Sequence, residues 1–453
     1  MTTHKNINIS VFLSLLAVTI AFPVPGLAEV PVQDLTLERV VLVQRHGVRT
    51  PTQDQNKLEA WSDRPWPDWP GTDWPEQTGM LTEHGRLTVN YIAKAMRQHF
   101  IEHGLLSSEK CPSDKNLVVW ADGKDKRTRE SGQELADSLA PGCGIQAGYL
   151  LRTENDKSPR DPIFNSLNKP CLLDITKAQA ALYQAAGPDG ITDADSRRAL
   201  TSIQKIIAPN ACGSGGAGAC LNGDSTVEAS TTEIKLKGPM QIGSAASEIF
   251  LLEYAEGMAK EKTAWGKIPD VNTLSKLMPV QTRANQLTRQ LPYVAVRRGS
   301  IMARLFWDTL EGDARPYSPA IAPETKILAL AGHDTNLSNM AGVFGLNWTL
   351  TEQPDATAPA TALTLELWRD KKTRKRYMKA VVWYATPEEL RNLPPTGGHS
   401  ISPPFAECRV GSNNLCPFDL LKEQVMNNIP SSCKRQLGGR NSNPPGKGHP
   451  ERR

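Results

Sequence analysis

Three widely separated, largely apolar segments of this 453-residue chain each run directly into a polar loop. Segments 39–43, 117–120 and 327–330 are apolar on both faces, which is typical of buried parallel strands. The first loop contains the run Arg45–Pro51 (RHGVRTP), and the last contains the run 332–336 (GHDTN). Helical periodicity follows the first two loops. This pattern predicts an α/β fold with a mainly parallel sheet.

The chain is too long for one ordinary core, and its pattern changes in the middle. Between about 165 and 290 strand signals fade, and apolar residues recur at helical spacing from Ile242 to Leu252. We therefore predict a Rossmann-like sheet domain interrupted by a smaller, mainly α-helical domain. The predicted divisions are a signal peptide at 1–28, the sheet domain at 29–165 and 290–433, the helical domain at 166–289, and a basic disordered tail at 434–453.

Local signals define several further elements. Segment 61–76 combines four tryptophans with four prolines, which predicts an ordered loop. Thr82 is a good N-cap for a helix that ends near Gly104. Segments 362–368 and 377–384 flank a charged turn and predict a hairpin.

The N-terminus has the pattern of a secretory signal. An apolar stretch from Ile9 to Phe22 follows Lys5, and residues 26–28 (GLA) supply the small residues of a cleavage site. This almost wholly apolar stretch of 14 residues is too short to span a bilayer, which needs about 20. We therefore expect export, cleavage of the signal and no membrane association afterwards.

The formal net charge of +4 does not describe the predicted folded body. Residues 434–453 contribute a net +5 and Lys5 adds one more, so the remainder of the chain carries about −2. Because the excess of basic residues is confined to a tail, the charge argues against nucleic-acid binding.

All the cysteines follow the predicted signal, and an even number in an exported chain favours disulfides. Cys212 and Cys220 flank a short Gly-rich stretch, as expected of a local disulfide, and Cys408 and Cys416 have the same spacing. The spacing of the other four leaves their pairing open. No CxxC pair or histidine cluster in the sequence indicates a structural zinc site. The eight cysteines are Cys111, Cys143, Cys171, Cys212, Cys220, Cys408, Cys416 and Cys433.

The polar loops bring one kind of chemistry to one edge of the predicted sheet. Ligands of open α/β sheets bind outside the carboxyl ends of the strands. Arg45, Arg49 and Arg127 would place three guanidinium groups there, and such a cluster is stable when an anion neutralises it. Because arginine suits bidentate recognition of phosphate oxygens, the loops predict a phosphate site.

Two residues in these loops suit phosphoryl transfer. His46 is a candidate nucleophile, because neighbouring arginines disfavour its cationic form and leave a ring nitrogen free. Asp334 is a candidate proton donor to the leaving oxygen, because a bound anion would raise its pKa. Gly47 would let the chain turn tightly past the phosphate.

The run Arg45–Pro51, together with the pair His333-Asp334, resembles the RHGxRxP and HD signature of the histidine acid phosphatases. The resemblance extends along nearly the whole chain after the signal, and it is greatest to bacterial periplasmic phytases and acid phosphatases. It implies a phosphoglycerate-mutase-like fold with the substrate between two domains. The implied activity is hydrolysis of phosphomonoesters through a phosphohistidine, without metal or cofactor. A phytase is the first expectation, and a broad-range or glucose-1-phosphate-type acid phosphatase is the alternative.

By this resemblance, His46 becomes phosphorylated and Asp334 donates the proton. Gln53 departs from the pattern of related phytases, which often carry Lys there, and so lacks a cation for a second substrate phosphate. The residues implied to bind substrate or its phosphate are Arg45, Arg49, Thr52, Arg127, Glu248, Arg298 and His333. The implied disulfides are Cys111–Cys143, Cys171–Cys433, Cys212–Cys220 and Cys408–Cys416.

Several alternatives remain open at this stage. Glu248 and Arg298 could equally be surface residues without contact to substrate. A metal-dependent phosphohydrolase with His333 and Asp334 as ligands is a second enzyme class, and an anion-binding protein without turnover is a third reading of the arginines. The resemblance favours a monomeric periplasmic enzyme whose only partner is a small phosphomonoester.

Overall fold

In the computed structural model, the predicted signal peptide and most of the predicted tail lie outside the described residues. Residues 434–438 of that tail belong to a helix, and 439–453 lie outside the described residues. No helix in the described part of the chain is long and apolar enough to cross a membrane. The described residues are 34–150, 161–315, 318–408 and 413–438.

The strands are β1 (Leu35–Arg45), β2 (Leu117–Ala121), β3 (Gly148–Tyr149), β4 (Thr226–Ala229), β5 (Ile234–Lys237), β6 (Ile327–Gly332), β7 (Ala362–Asp370), β8 (Arg376–Tyr384), β9 (His399–Ile401) and β10 (Cys416–Pro417). The α-helices are α1 (Gln55–Glu59), α2 (Glu83–Glu102), α3 (Lys126–Leu139), α4 (Ile175–Ala186), α5 (Ala194–Ile207), α6 (Pro239–Ala255), α7 (Val271–Ser275), α8 (Pro279–Asn285), α9 (Pro292–Arg298), α10 (Ser300–Glu311), α11 (Asp334–Phe344), α12 (Pro387–Asn392), α13 (Phe418–Asn428) and α14 (Ser431–Gly438). A π-helical turn, Gln286–Gln290, joins α8 to α9, and short 3-10 helices cover Thr263–Gly266 and Ala406–Cys408.

One mixed sheet of eight strands has the order β10-β8-β7-β1-β6-β2-β3, with β9 paired to β8. The three strands predicted from apolar segments are β1, β6 and β2, which are parallel neighbours. The predicted hairpin is β7–β8, which adds to β1 in the antiparallel direction. The predicted α/β fold is therefore confirmed.

The sheet is covered on both faces, which explains why its inner strands are continuously apolar. In β1, Val40 and Leu42 pack into one hydrophobic cluster, and Val41 and Val43 pack into another. The first cluster includes the apolar faces of α2 and α3, and the second includes those of α10 and α11. Successive residues of β1 thus bury their side chains against different helical layers.

Two glycines set the packing between the loop after β1 and the start of α2. A Cβ on Gly47 would lie 1.9 Å from the carbonyl oxygen of Gly85, and a Cβ on Gly85 would lie 1.9 Å from that of Val48. Thr82 begins the helix as predicted and accepts the N–H of Gly85 at 2.8 Å. Close backbone contact with α2 therefore requires a glycine at Gly47, and the turn past a phosphate expected from the sequence stays a prediction.

The segment predicted as a helical domain contains α4 to α8 and also a two-stranded antiparallel sheet, β4–β5. These strands were not predicted, because each is only four residues long. Both lie at the surface, and each places a charged residue between its apolar ones. The tryptophan-rich segment is an ordered loop, as predicted. Its four indoles are buried, and Trp66 stacks on Phe250 with ring centroids 5.6 Å apart.

Four disulfides are present, and they join the cysteines in the pairs that the family resemblance implies. Two are local, Cys212–Cys220 and Cys408–Cys416, and Cys111–Cys143 closes the region of α2 to α3. Cys171–Cys433 ties α14 to the middle of the chain.

Two carboxyl groups, Glu253 in α6 and Glu256 just after it, have a pKa that burial raises. Glu253 is fully buried and accepts the N–H of Ala264 at 2.8 Å, and burial raises its pKa to about 8. Burial likewise raises the pKa of Glu256 to about 7, although Thr82 donates a hydrogen bond to it at 2.6 Å. Both groups keep their protons at acidic pH in the folded protein, so acid favours folding here.

The substitution Glu253→Gln tests this linkage, because a Gln oxygen can accept the same N–H without a charge. The unfolded chain releases the proton near pH 4.5, whereas the folded protein retains it to about pH 8. Relative to the variant, the wild type should therefore lose free energy of unfolding at about 1.4 kcal/mol per pH unit across this interval. Urea denaturation at pH 4, 6 and 8 measures the difference.

A matched control is Glu109→Gln, which changes an exposed glutamate and should follow the wild type at every pH. Parallel pH dependence of the wild type and Glu253→Gln would contradict the assignment.

Candidate active site

The register of the parallel strands brings the three polar loops to one place. Arg45 pairs with Gly332 across β1 and β6, and Ala121 pairs with Ala331 across β2 and β6. The N–H of His46 then donates to the carbonyl of Gly332 at 2.9 Å. The loop after β1 and the first turns of α3 and α11 therefore meet at the carboxyl ends of the strands, where the sequence predicted a site.

A cavity of about 720 Å³ opens at this edge of the sheet. Arg45 is not part of its lining, since this side chain is 1% exposed and lies behind Glu248. Three cations that the sequence analysis did not single out, Lys124, Lys235 and Arg289, also face the cavity. The predicted residues that line it are His46, Arg49, Thr52, Arg127, Glu248, Arg298, His333 and Asp334.

His46 is held as a neutral imidazole with its orientation fixed. Its Nδ1 lies 2.8 Å from the carbonyl oxygen of Gly47, which can only accept a hydrogen bond. We therefore assign the proton to Nδ1, which leaves Nε2 with a free lone pair. Burial, then the charges of Arg127, Arg45 and Arg49, hold the pKa of His46 well below its ordinary value. The neutral form expected from the sequence is thus supported by burial as well as by arginines.

Glu248 joins two of the arginines. Its Oε1 accepts from Arg45 at 2.6 Å and lies 3.2 Å from Arg49, while Asp355 lies 3.4 Å from Arg45 on the other side. Burial alone would raise the pKa of Glu248, but the charges of Arg49 and Arg45 outweigh it and lower that pKa. Glu248 is therefore an ionised member of the cluster at the cavity wall and not a surface residue.

The arginine cluster has unused hydrogen-bonding capacity. The Nε–H groups of Arg45, Arg49 and Arg127 are buried and have no hydrogen-bond partner among the described residues. Arg127 donates to the carbonyl of Gly79 at 3.2 Å and pairs with Asp125 at 3.2 Å. Burial and the charge of Arg49 lower the pKa of Arg127 to about 10. An oxyanion with several acceptor oxygens would accept hydrogen bonds from these buried donors and would neutralise the crowded positive charge.

Arg129, two residues after Arg127, turns away from the cavity. It donates to the carbonyl of Gly123 at 2.7 Å and lies over the ring of Tyr149. The opposite orientation of the two arginines is as expected from their helical spacing.

His333 and Asp334 begin α11 and have different partners. The Nε2 of His333 lies 3.1 Å from Asp122 and 3.5 Å from Asp125. In Asp334, Oδ1 accepts the N–H of Thr335 at 2.7 Å and Oδ2 is paired with Arg289.

The Arg289 pair changes the state of Asp334 in a way that the sequence did not indicate. Burial would raise the pKa of Asp334, but the charges of Arg289 and Arg45 outweigh it and hold that pKa well below its ordinary value. The Arg289 pair therefore acts in the opposite direction to the bound anion that was expected to raise the pKa of Asp334. No local signal in the sequence links Arg289 to Asp334.

Thr52 and Arg298 lie at the periphery of the cavity. Thr52 is exposed, and its hydroxyl is 3.4 Å from the amide oxygen of Gln53. Arg298 is half-buried and donates to the carbonyl of Thr232, which precedes β5. Both residues are among those that line the cavity.

Comparison with known proteins agrees with the motif. The model of the histidine phosphatase superfamily (branch 2) matches residues 36–186. Phytase AppA of Escherichia coli (strain K12) is 30% identical over 389 residues, which cover 80% of this chain and 84% of that protein. The chain belongs to the histidine phosphatase superfamily.

Other relatives of this histidine phosphatase carry two different names. A Glucose-1-phosphatase of Providencia rettgeri is 24% identical over 85% of this chain and 90% of that protein. The structure of Hafnia alvei phytase in complex with myo-inositol hexakis sulphate matches with a TM-score of 0.77 and 28% identity, and covers 88% of this chain and 98% of that chain. The family and the enzyme class predicted from the sequence, a phosphoric monoester hydrolase, are thereby confirmed.

The substitution Glu248→Ala tests the charge balance of the cluster. It leaves Arg49 without a carboxylate and Arg45 with Asp355 alone, so it should lower the free energy of unfolding by on the order of 3 kcal/mol. Inorganic phosphate can supply negative charge to the same guanidinium groups, so the deficit should shrink in phosphate. Urea denaturation in phosphate and in chloride of equal ionic strength measures both effects.

The control is Glu233→Ala, which removes another cavity glutamate that pairs with Lys235 and not with the arginines. The anion site would be contradicted if the loss of free energy of unfolding in Glu248→Ala were as large in phosphate as in chloride.

Proposed function

We propose that this histidine phosphatase is a phytase that removes phosphate groups from inositol hexakisphosphate. The observation that carries the proposal is the excess of cations around the cavity. Six Lys and Arg side chains line it against three carboxylates, which is more positive charge than one phosphate needs. The six are Arg49, Lys124, Arg127, Lys235, Arg289 and Arg298.

His46 Nε2 attacks phosphorus in this proposal, and the bond between phosphorus and the ester oxygen breaks. Asp334 donates its proton to the departing oxygen, and water then cleaves the phosphohistidine to release inorganic phosphate. Such a transfer depends on positioning and on stabilisation of negative charge. Arg49, Arg127 and His333 bind the phosphate oxygens, while Arg45 adds positive charge from behind the cavity wall. We propose that these groups act without a metal.

The similarity to two proteins named as phytases supports this substrate, and one of them binds an inositol hexakis sulphate. Thr52, Glu248 and Arg298 are then contacts to the substrate outside the transferred phosphate. The alternative is a broad-range or glucose-1-phosphate-type acid phosphatase. It is favoured by the neutral Gln53 at the cavity wall and by the relative named Glucose-1-phosphatase.

The predicted organisation and location belong to the same proposal. Residues 29–165 and 290–433 form the sheet domain and 166–289 the helical domain, with the substrate between them. The cavity lining supports this division, because Glu248 and the segment 232–236 face His46 and Asp334. We propose a monomeric periplasmic enzyme, exported by a cleaved signal, that binds no nucleic acid.

The decisive test is phosphate release from phytate, p-nitrophenyl phosphate and glucose 1-phosphate at acidic pH with EDTA present. Wild type should hydrolyse phytate in preference to the other two. His46→Ala should lose activity by several orders of magnitude on all three, because no other group forms the covalent intermediate.

Hydrolysis of the two small esters without phytate would leave the mechanism and select the alternative substrate class. Residual activity of His46→Ala near that of wild type would overturn the phosphohistidine mechanism, and loss of wild-type activity in EDTA would favour the metal-dependent class.

Gln53→Lys tests the contribution of the missing cation. A lysine at this half-buried position of the cavity wall adds a favourable interaction with a second phosphate, so KM for phytate should fall about two- to fivefold. KM for p-nitrophenyl phosphate, which has no second phosphate, should not change. Steady-state kinetics of Gln53→Lys beside Gln53→Met, which alters the side chain without charge, separates charge from shape. Equal effects of the two variants would contradict a role for charge at this position.

A further inference from the structure

Each carboxylate oxygen of Asp334 already accepts from a hydrogen-bond donor. Oδ1 accepts the N–H of Thr335 from the first turn of α11, and this backbone donor cannot move away without unwinding the helix. Oδ2 is paired with Arg289. A proton that Asp334 is to donate must therefore be carried by Oδ2, and Arg289 must leave that atom first.

We propose that Arg289 is a positioning residue that keeps Asp334 as a carboxylate until a second phosphate of the substrate draws the guanidinium away. Binding of a polyphosphorylated substrate then makes Asp334 available as the proton donor. This inference rests on the proposed function, and it adds the reason why a substrate with several phosphates would be preferred.

The backbone of Arg289 is held against α11, whereas its side chain is partly exposed at the cavity. It belongs to the π-helical turn between α8 and α9, and its carbonyl accepts a hydrogen bond from Asn339 of α11 at 2.8 Å. The next carbonyl, that of Gln290, lies so close to α11 that a Cβ on Gly342 would be 2.2 Å from it. The turn is thus attached to the helix that carries Asp334, whereas the Arg289 side chain is 30% exposed at the cavity.

Among the charged groups around Asp334, Arg289 is the cation best able to move. Arg45, which also acts on Asp334, is 1% exposed and held by Glu248 and Asp355. Arg127 is held by Asp125 and by a backbone carbonyl. The titratable and charged groups that face Asp334 are Arg45, His46, Arg127, Glu248, Arg289, His333 and Asp355.

The position of Arg289 decides which part of a substrate it meets. Oδ2 of Asp334 must face the departing oxygen, so a guanidinium beside Oδ2 lies on the side of the leaving group. In phytate the leaving group carries phosphates on neighbouring ring carbons, and these compete with Asp334 for Arg289. In a simple alkyl monophosphate the leaving group has no second anion, so the pair persists. Only the first substrate displaces Arg289.

The test compares three substrates across pH in wild type and Arg289→Gln. Phytate and glycerol 2-phosphate both expel a basic alkoxide that needs a proton, whereas p-nitrophenyl phosphate expels a stable phenolate that needs one much less. In wild type, the alkaline limb of kcat should lie at higher pH for phytate than for glycerol 2-phosphate. An opposite charge in contact lowers a carboxyl pKa by about one to three units. Removing the guanidinium in Arg289→Gln should therefore move the alkaline limb for glycerol 2-phosphate up by about one pH unit or more, towards that of phytate.

Three controls make the result specific to the pair. Arg289→Lys keeps the cation and should stay near wild type. Lys235→Gln removes another cavity cation, one that pairs with Glu233, so it should not move the limb. The profile for p-nitrophenyl phosphate should stay in place in Arg289→Gln. Circular dichroism of each variant confirms that it is folded.

The inference would be overturned, while the phosphatase stands, if Arg289→Gln left the profile on glycerol 2-phosphate unchanged or if Lys235→Gln shifted it equally. Absence of phytate hydrolysis by wild type would instead overturn the proposed substrate, and the shift on glycerol 2-phosphate would still decide the role of Arg289.

Discussion

The parallel hydrogen bonding of β6 between β1 and β2 is the constraint on which the whole site depends. It joins three loops that are far apart in sequence, because the end of each strand is aligned with its neighbour at Arg45, Ala121 and Gly332. A slip of one residue would turn every side chain of β6 to the other face and would place it in the wrong hydrophobic cluster. The helical layers on both faces therefore fix the register, and the register fixes the distance between His46 and Asp334.

The residues that could be predicted from sequence are those whose signal is local. A strand that is apolar on both faces and runs into a charged loop indicates that the loop lies at the edge of the sheet. Three such segments were enough to predict that His46, Arg49 and Asp334 lie at one edge. The spacing of Arg127 and Arg129 was likewise enough to predict their opposite directions. Strands β4 and β5 were missed because four residues with alternating exposure differ little from a polar loop.

The electrostatics of the site could not be predicted, because they depend on contacts between distant segments. Asp355 supports Arg45, and Arg289 pairs with Asp334, yet neither residue stands in a recognisable motif. The approach of the π-helical turn to α11 requires the absence of a side chain at Gly342, which a sequence shows only as one glycine among 34. For the same reason the contact of Gly47 with the backbone of α2 could not be predicted from the sequence.

A phosphate site that also needs a general acid faces a conflict of charge. Guanidinium groups that bind the phosphate favour the ionised form of any nearby carboxyl, and the carboxyl must be protonated to act. Glu248 reduces the conflict by neutralising Arg45 and Arg49 away from Asp334. Arg289 resolves the remainder if its partner changes when substrate enters, because a second phosphate of the substrate then removes the charge that kept Asp334 ionised. Acidic surroundings favour both the protonated acid and, through Glu253 and Glu256, the folded state.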